Sequence, residues 1–170
     1  MNSQNLQNKL RDKFLKKGVK MKGPETVFFS KDTKIGKNVE IEPYVVFADK
    51  VQIGNNVKIL SFSHLEGVKI DSNVSVGPYA RLRPGTKIKS GSKIGNFVEV
   101  KKSTINKNSK VIFSFIENSL IGENCEIGPY SRIRNKSSLE NNVIVGNFAE
   151  IKNSSIGKNS KIKSKKSLHS

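Results

Sequence analysis

The chain has 170 residues, 35% of them hydrophobic, no tryptophan, and a formal net charge of +17 from 31 basic and 14 acidic side chains. That is one domain's worth of sequence, without an apolar run of bilayer-crossing length and without the apolar middle of a secretory signal near its start. A lone cysteine, Cys125, excludes an internal disulfide framework and fits a reducing compartment, so the cytoplasm is the expected location.

Residues 3–17 place Leu6, Leu10, Phe14 and Leu15 at helical spacing in a polar background, which predicts a short amphipathic helix. Helix and linker occupy 1–20, and 21–170 is expected to form one domain. The helix either covers the open end of that domain's core or contacts a neighbouring chain.

From Ile35 onward the spacing is neither helical nor simply alternating. Ile35, Ile41, Phe47, Ile53, Ile59 and Leu65 lie six apart, and after one step of five so do Ile70, Val76, Leu82, Ile88, Ile94 and Val100. Shorter steps pass through Ile105, Val111, Ile116 and Ile121, and the sixes resume at Ile127, Ile133, Leu139, Val145 and Ile151, then at Ile156, Ile162 and Leu168. This is the hexapeptide period of a parallel β-helix, with three short strands in each coil of about eighteen residues. Seven to eight coils at about 4.8 Å each make a prism about 35 Å long.

Four residues after most aliphatics stands a small or β-branched residue, among them Val39, Val57, Ser63, Ala80, Cys125 and Val143. Alternate residues of a strand share a face, so this second column also points inward. It makes Cys125 a core residue. One corner of each coil carries Asn38, Asn56, Asn73, Gly91, Asn108, Asn124, Asn142 and Asn159, residue types that accept positive φ. A second corner carries Tyr44, Phe62, Tyr79, Phe97, Tyr130 and Phe148, with Ser114 expected to interrupt it. These rings read as a structural column and not as a platform for stacking a ligand.

A stretch beginning at Val76, "VGPYARLRPGTKIKSGSKIGNFVEVKKSTI", returns 51 residues later as "IGPYSRIRNKSSLENNVIVGNFAEIKNSSI". Of the five arginines only Arg11 lies outside these copies, whereas lysine is scattered through every segment. Dispersed lysine without interleaved aromatics argues against a nucleic-acid surface. Arg83 and Lys101 are one coil apart, as are Arg134 and Lys152. The period places all four on one outward column, in the order Ala48, Glu66, Arg83, Lys101, Glu117, Arg134, Lys152, His169. A guanidinium with an ammonium one rung away suits a phosphate monoester, so these four are the candidate substrate-binding residues. His64 reads as a surface residue, and with only two histidines in the chain no metal site is expected.

Several segments, "PETVFFSKDTKIGKNVEIEPYVVF", "ILSFSHLEGVKI", "VGPYARLRPG" and "IGNFVEVKKSTI", closely resemble one enzyme domain. It is the C-terminal domain of the bacterial bifunctional N-acetylglucosamine-1-phosphate uridyltransferase/glucosamine-1-phosphate acetyltransferase. The resemblance runs from the helix near Leu6 to about Gly128. It implies a left-handed parallel β-helix with a short N-terminal α-helix, a homotrimer with sites between subunits, and a role in UDP-N-acetylglucosamine biosynthesis. It also assigns the Arg of "RLRPG" and the first Lys of "EVKK", here Arg83 and Lys101, to the sugar phosphate. The uridyltransferase domain is expected to be absent.

The same resemblance marks departures. Its general base is a histidine a dozen residues after the lysine, where this chain has Ile112 or Phe113 within "KVIFSFIENS", and Phe115 replaces a tyrosine. After "IGENCEIG" the family continues into an Asn- and Tyr-bearing loop, whereas this chain returns to "PYSRIRN". The later coils that bind acetyl-CoA in the family are expected to be missing. In the second copy, twelve residues beyond Lys152 stands Ser164, and His169 lies 17 beyond. No catalytic residue is assigned. The expectation is a protein that binds a sugar phosphate resembling glucosamine-1-phosphate, with acetyl transfer lost or severely impaired, and no cofactor unless acetyl-CoA chemistry is retained. Its alternatives are an active acetyltransferase, alone or in a mixed trimer with a longer paralogue, and a non-catalytic structural trimer.

Overall fold

The computed structural model describes residues 3–164, so Leu168 and His169 lie outside the described residues. Among the described residues, two- and three-residue strands form the three faces of a parallel β-helix. The first face has nine strands, from Lys20–Met21 to Lys161–Ile162. The second runs through eight from Phe28–Phe29 to Glu150–Lys152, and the third through eight from Lys34–Ile35 to Ser155–Ile156. Each strand pairs in parallel with the strand one coil above it, as in Val76↔Ile94, Leu82↔Val100 and Ile88↔Ile105. Coiling begins earlier than the hexapeptide period suggests, because Lys20–Met21 and Phe28–Phe29 already pair with the next coil.

The aliphatic of each hexapeptide stacks on its counterpart in the next coil. Ile59, Leu65, Leu82, Ile88, Val100, Ile105, Ile116 and Ile121 are all fully shielded from solvent. The small column also faces inward, with Cys125 buried beside Ser109. Towards the C-terminal half this column changes from valine to serine, with Ser92, Ser103, Ser109, Ser114, Ser119, Ser131 and Ser137 all buried. Each hydroxyl donates to a main-chain carbonyl, for example Ser109 to Gly122 and Ser131 to Gly146, so the polar atoms are not left orphaned.

The Asn column has φ near +55° to +62° except at Asn38 and Gly91, which have φ of 53° and 76°, as a repeated left-handed corner requires. Its side chains form a partial amide ladder, Asn38 donating to Asn56 and Asn56 to Asn73. The aromatic corner differs from the sequence reading at one coil. Phe113 occupies it with φ 49°, and Ser114 points into the core, its hydroxyl donating to the carbonyls of Ile112 and Gly128. The coil between Val100 and Ile116 is two residues shorter than a full repeat, which moves the ring one place earlier in the chain. The rings therefore run without a break from Tyr44 to Phe148, with centroids 4.7–5.0 Å apart.

Ser3–Lys16 form the predicted helix, and of its two expected roles it covers the open end of the core. Phe14 is buried against the Phe29 ring, which stacks on Phe47. The Gln7 amide both donates to the Phe29 carbonyl and accepts from its N–H, so it imitates the strand that a further coil would have supplied. Arg11 is buried, and its guanidinium donates to the carbonyls of Val27 and Glu25. Edge groups that would otherwise invite another strand are thereby satisfied.

Candidate functional site

The second face brings the four sequence-predicted residues onto one wall. Leu82 and Ile133 are inward anchors, so the residues beside them must point out. Arg83 follows Leu82 on a strand whose neighbour above carries Lys101, and the Arg83 N–H donates to the Val100 carbonyl. Above Lys101 the register places Glu117, and in the second copy Arg134 lies directly beside Lys152. The predicted column is present from Ala48 to Lys152.

Sequence reasoning placed Glu117 on this column but missed Glu99 and Glu150, and missed that the carboxylates hold these cations. Arg83 donates to Glu99 at 2.9 Å and Lys101 to Glu117 at 2.9 Å. Arg134 donates through Nε to Glu150 at 2.9 Å, and its Nη2 reaches the same oxygen. Glu99 and Glu150 stand two residues before Lys101 and Lys152, and residues two apart share a strand face, so that spacing was a readable signal. The hydrogen bond from Lys101 is the foremost influence holding the Glu117 carboxyl below the usual carboxylate range, and Arg134 does the same for Glu150.

The two copies are not electrostatically equal. In the first, Arg83 and Lys101 face two carboxylates, Glu99 and Glu117. In the second, Arg134 and Lys152 share only Glu150, and among the described residues Lys152 makes no ion pair. An anion approaching the wall therefore meets less uncompensated positive charge at the first copy, where Arg81, Arg83 and Lys101 face Glu99 and Glu117, than at the second, where Arg132, Arg134 and Lys152 face Glu150 alone.

Around this wall, the residues at the expected base position are placed unambiguously. Ile112 is exposed on the first face, and Phe113 turns the corner with its ring between those of Phe97 and Tyr130. Phe115 lies on the second face between Glu99 and Arg132. None of the three side chains can accept a proton. His64 is exposed, between Val46 and Arg81 on the same face. Among the described residues no group of three or more His, Cys, Asp or Glu side chains lies together as a metal site would need, and no helix is long and apolar enough to cross a membrane.

Residues 64–170, more than half of the chain, match the GMPPB C-terminal domain, and residues 32–67 match the six-repeat bacterial transferase hexapeptide. The chain belongs to the GMPPB C-terminal domain family. Its relatives include the bifunctional protein GlmU of Anaplasma marginale, 41% identical over 161 residues, which covers 89% of this chain and 38% of the relative. GlmU of Azorhizobium caulinodans is 45% identical over 124 residues, covering 72% and 28% respectively. GlmU of Zymomonas mobilis is 53% identical over 79 residues, covering 46% and 18%. The chain thus spans less than two fifths of the length of each of these relatives. Among solved structures, the UDP-N-acetylglucosamine acyltransferase of Campylobacter jejuni superposes with a TM-score of 0.57 at 13% identity, over 77% of this chain and 66% of that one. LpxA of Acinetobacter baumannii gives 0.55 at 14% identity, with the same coverage. At such identity these two establish the shared β-helix alone.

Proposed function

We propose that this chain is a sugar-phosphate-binding β-helix related to the acetyltransferase domain of GlmU, with acetyl transfer lost or severely impaired. The observation that carries this reading is the corner at Ile112 and Phe113, where the resemblance calls for a histidine and the chain offers two hydrocarbon side chains. General-base catalysis contributes about 10²–10⁴-fold, so without the base the attacking amine keeps its proton and the chemistry slows by that factor. Binding makes no such demand. The relationship to GlmU, the assignment of Arg83 and Lys101 to the sugar phosphate that the resemblance implies, and their one-rung spacing support an anion site on the second face.

Within this reading glucosamine-1-phosphate or a close analogue is the ligand, held at Arg83 and Lys101 and again at Arg134 and Lys152. The coil is left-handed, and the chain assembles as a homotrimer, or as a mixed trimer with a longer paralogue, acting in the cytoplasm. Acetyl-CoA takes part only if activity is retained. The test is acetyl-CoA-dependent thiol release with glucosamine-1-phosphate, run on the purified chain beside an intact GlmU, together with calorimetric titration of the same sugar phosphate. Binding without thiol release is the expected result. Substrate-dependent release by the chain alone overturns the loss of chemistry, and absence of any binding overturns the site and leaves a structural protein. Release only after adding a longer paralogue places the missing base in the partner.

A further inference from the structure

In each copy the ion pairs leave one arginine out. Arg81 and Arg83 share a strand in the first copy, and Arg132 and Arg134 do so in the second. Arg83 and Arg134 are held by Glu99 and Glu150. Arg81 and Arg132 are exposed, and among the described residues their side chains make no hydrogen bond, ion pair or ring contact.

The copies differ at the lysine. Lys101 is bonded to Glu117, so the first copy keeps one free cation on the wall, Arg81. Lys152 makes no ion pair among the described residues, so the second keeps two, Arg132 and Lys152. One corner lysine stands beside each copy, Lys102 and Lys136, so the corners do not account for the contrast.

The register sets these two free cations on opposite sides of the Arg134–Glu150 pair. Glu150 lies directly above Arg132, and Lys152 directly above Arg134. A step of two residues and one rung separates their Cα atoms by about 8 Å. The hydrogen bond from Arg134 is the foremost influence lowering the Glu150 pKa, and the charges of Arg132 and Lys152 act the same way. All three cations therefore lie within electrostatic reach of one carboxylate.

We infer that the second copy binds a diphosphate, one phosphate on the Arg132 guanidinium and the other on the Lys152 ammonium, bridging the Arg134–Glu150 pair. This rests on the reading of the wall as a phosphate-binding surface and names what its second copy takes. A single phosphate fills one of the two free cations and leaves the other unpaired, or has to draw Arg134 away from Glu150. Two linked phosphates meet both cations and keep the pair. Arginine supplies a planar fork at one end and lysine a movable point charge at the other. A longer polyanion does not suit the wall, because the carboxylates Glu66, Glu99, Glu117 and Glu150 recur along it.

Phe115 lies directly beneath Arg132, partly buried, where the first copy has His64 beneath Arg81. Its ring offers an apolar face to the sugar or base of a diphosphate ester.

The experiment is titration calorimetry of the full chain at fixed salt in EDTA. The probes are inorganic phosphate, inorganic pyrophosphate, uridine diphosphate and glucosamine-1-phosphate. Pyrophosphate is expected to bind about tenfold more tightly than phosphate, the scale of one further charged hydrogen bond. Arg132→Gln and Lys152→Gln are each expected to abolish that preference, and both side chains are exposed, so neither change disturbs the core. Lys87→Gln removes the same charge from the third face and is expected to leave the preference unchanged.

Equal affinity for phosphate and pyrophosphate, with glucosamine-1-phosphate still bound, overturns the diphosphate site and leaves the sugar-phosphate reading standing. A pyrophosphate preference without glucosamine-1-phosphate binding keeps this site and overturns that ligand. Absence of all phosphate binding overturns both. A preference that falls as much in Lys87→Gln as in Lys152→Gln is general attraction to a basic chain and overturns the site. Uridine diphosphate bound more tightly than pyrophosphate, with the advantage lost in Phe115→Ser, identifies the source as a diphosphate ester. A pyrophosphate preference without that advantage identifies it as inorganic pyrophosphate.

Discussion

Lys101 lies one rung below Glu117 on the same outward column, and its ammonium donates to that carboxylate at 2.9 Å. The pair is the clearest case of the wall's self-neutralisation, and it makes the site sensitive to acid. Glu117 has its folded pKa lowered, first by this hydrogen bond, so its stabilising contribution is present above the unfolded value of about 4.3 and is lost as pH falls through the lower folded value. Glu117→Gln is therefore expected to lower Tm near neutral pH, with the difference from wild type shrinking and vanishing as pH drops below about 4. Thermal melts of both proteins across pH 3–8 check this, and a difference that grows in acid contradicts it.

The unequal charge of the two copies predicts unequal anion binding. Lys152 makes no ion pair among the described residues and has only Glu150, already held by Arg134, near it, whereas Lys101 is paired directly with Glu117. Lys152→Ala is expected to weaken glucosamine-1-phosphate binding about tenfold, the scale of one charged hydrogen bond, and Lys101→Ala less. Titration calorimetry at fixed salt ranks them, and the reverse order places the stronger site at the first copy.

At the capped end, Arg11→Ala removes donors from the carbonyls of Val27 and Glu25 and leaves them under the helix without a partner. A loss of about 2–4 kcal/mol is expected, read from urea unfolding. A cost below about 1 kcal/mol shows that water replaces the guanidinium there.

Thr33 offers the opposite sign. Its hydroxyl is buried and has no hydrogen-bond partner among the described residues. The coils above it place Val51 and Val68 in the same inward column. Thr33→Val keeps the shape and removes the orphaned oxygen, so a gain of about 1 kcal/mol is expected. Any destabilisation in the same urea experiment reveals a partner for that hydroxyl.

Cys125 is shut inside the core, where its thiol donates to the Glu140 carbonyl at 3.1 Å and burial raises its pKa. Labelling by an aromatic disulfide reagent is expected to be negligible in the folded chain and complete in denaturant. Rapid labelling without denaturant requires the coil at Cys125 to open readily.

Much of this molecule was legible before any coordinates. The six-residue spacing from Ile35 to Ile162 implies the three-faced coil, because only a chain turning every sixth residue can bury each of those aliphatics. The Asn corner and the inward position of Cys125 follow from the same period. So does the column that carries Arg83, Lys101, Arg134 and Lys152, since a fixed coil length sets which residues lie above one another. The exchange of Phe113 for Ser114 at the aromatic corner was not legible. A shortened coil can lose its residues at any corner, and only the packing of the Phe113 ring between Phe97 and Tyr130 decides which. The helix pattern left two roles open until Gln7 was seen holding both groups of Phe29. The carboxylates Glu99, Glu117 and Glu150 decide how much positive charge the wall presents. A side chain's ion pair depends on rotamer and diagonal reach between coils, which spacing alone does not determine. Sequence determined the periodic frame, and tertiary packing decided what each rung exposes and what it cancels.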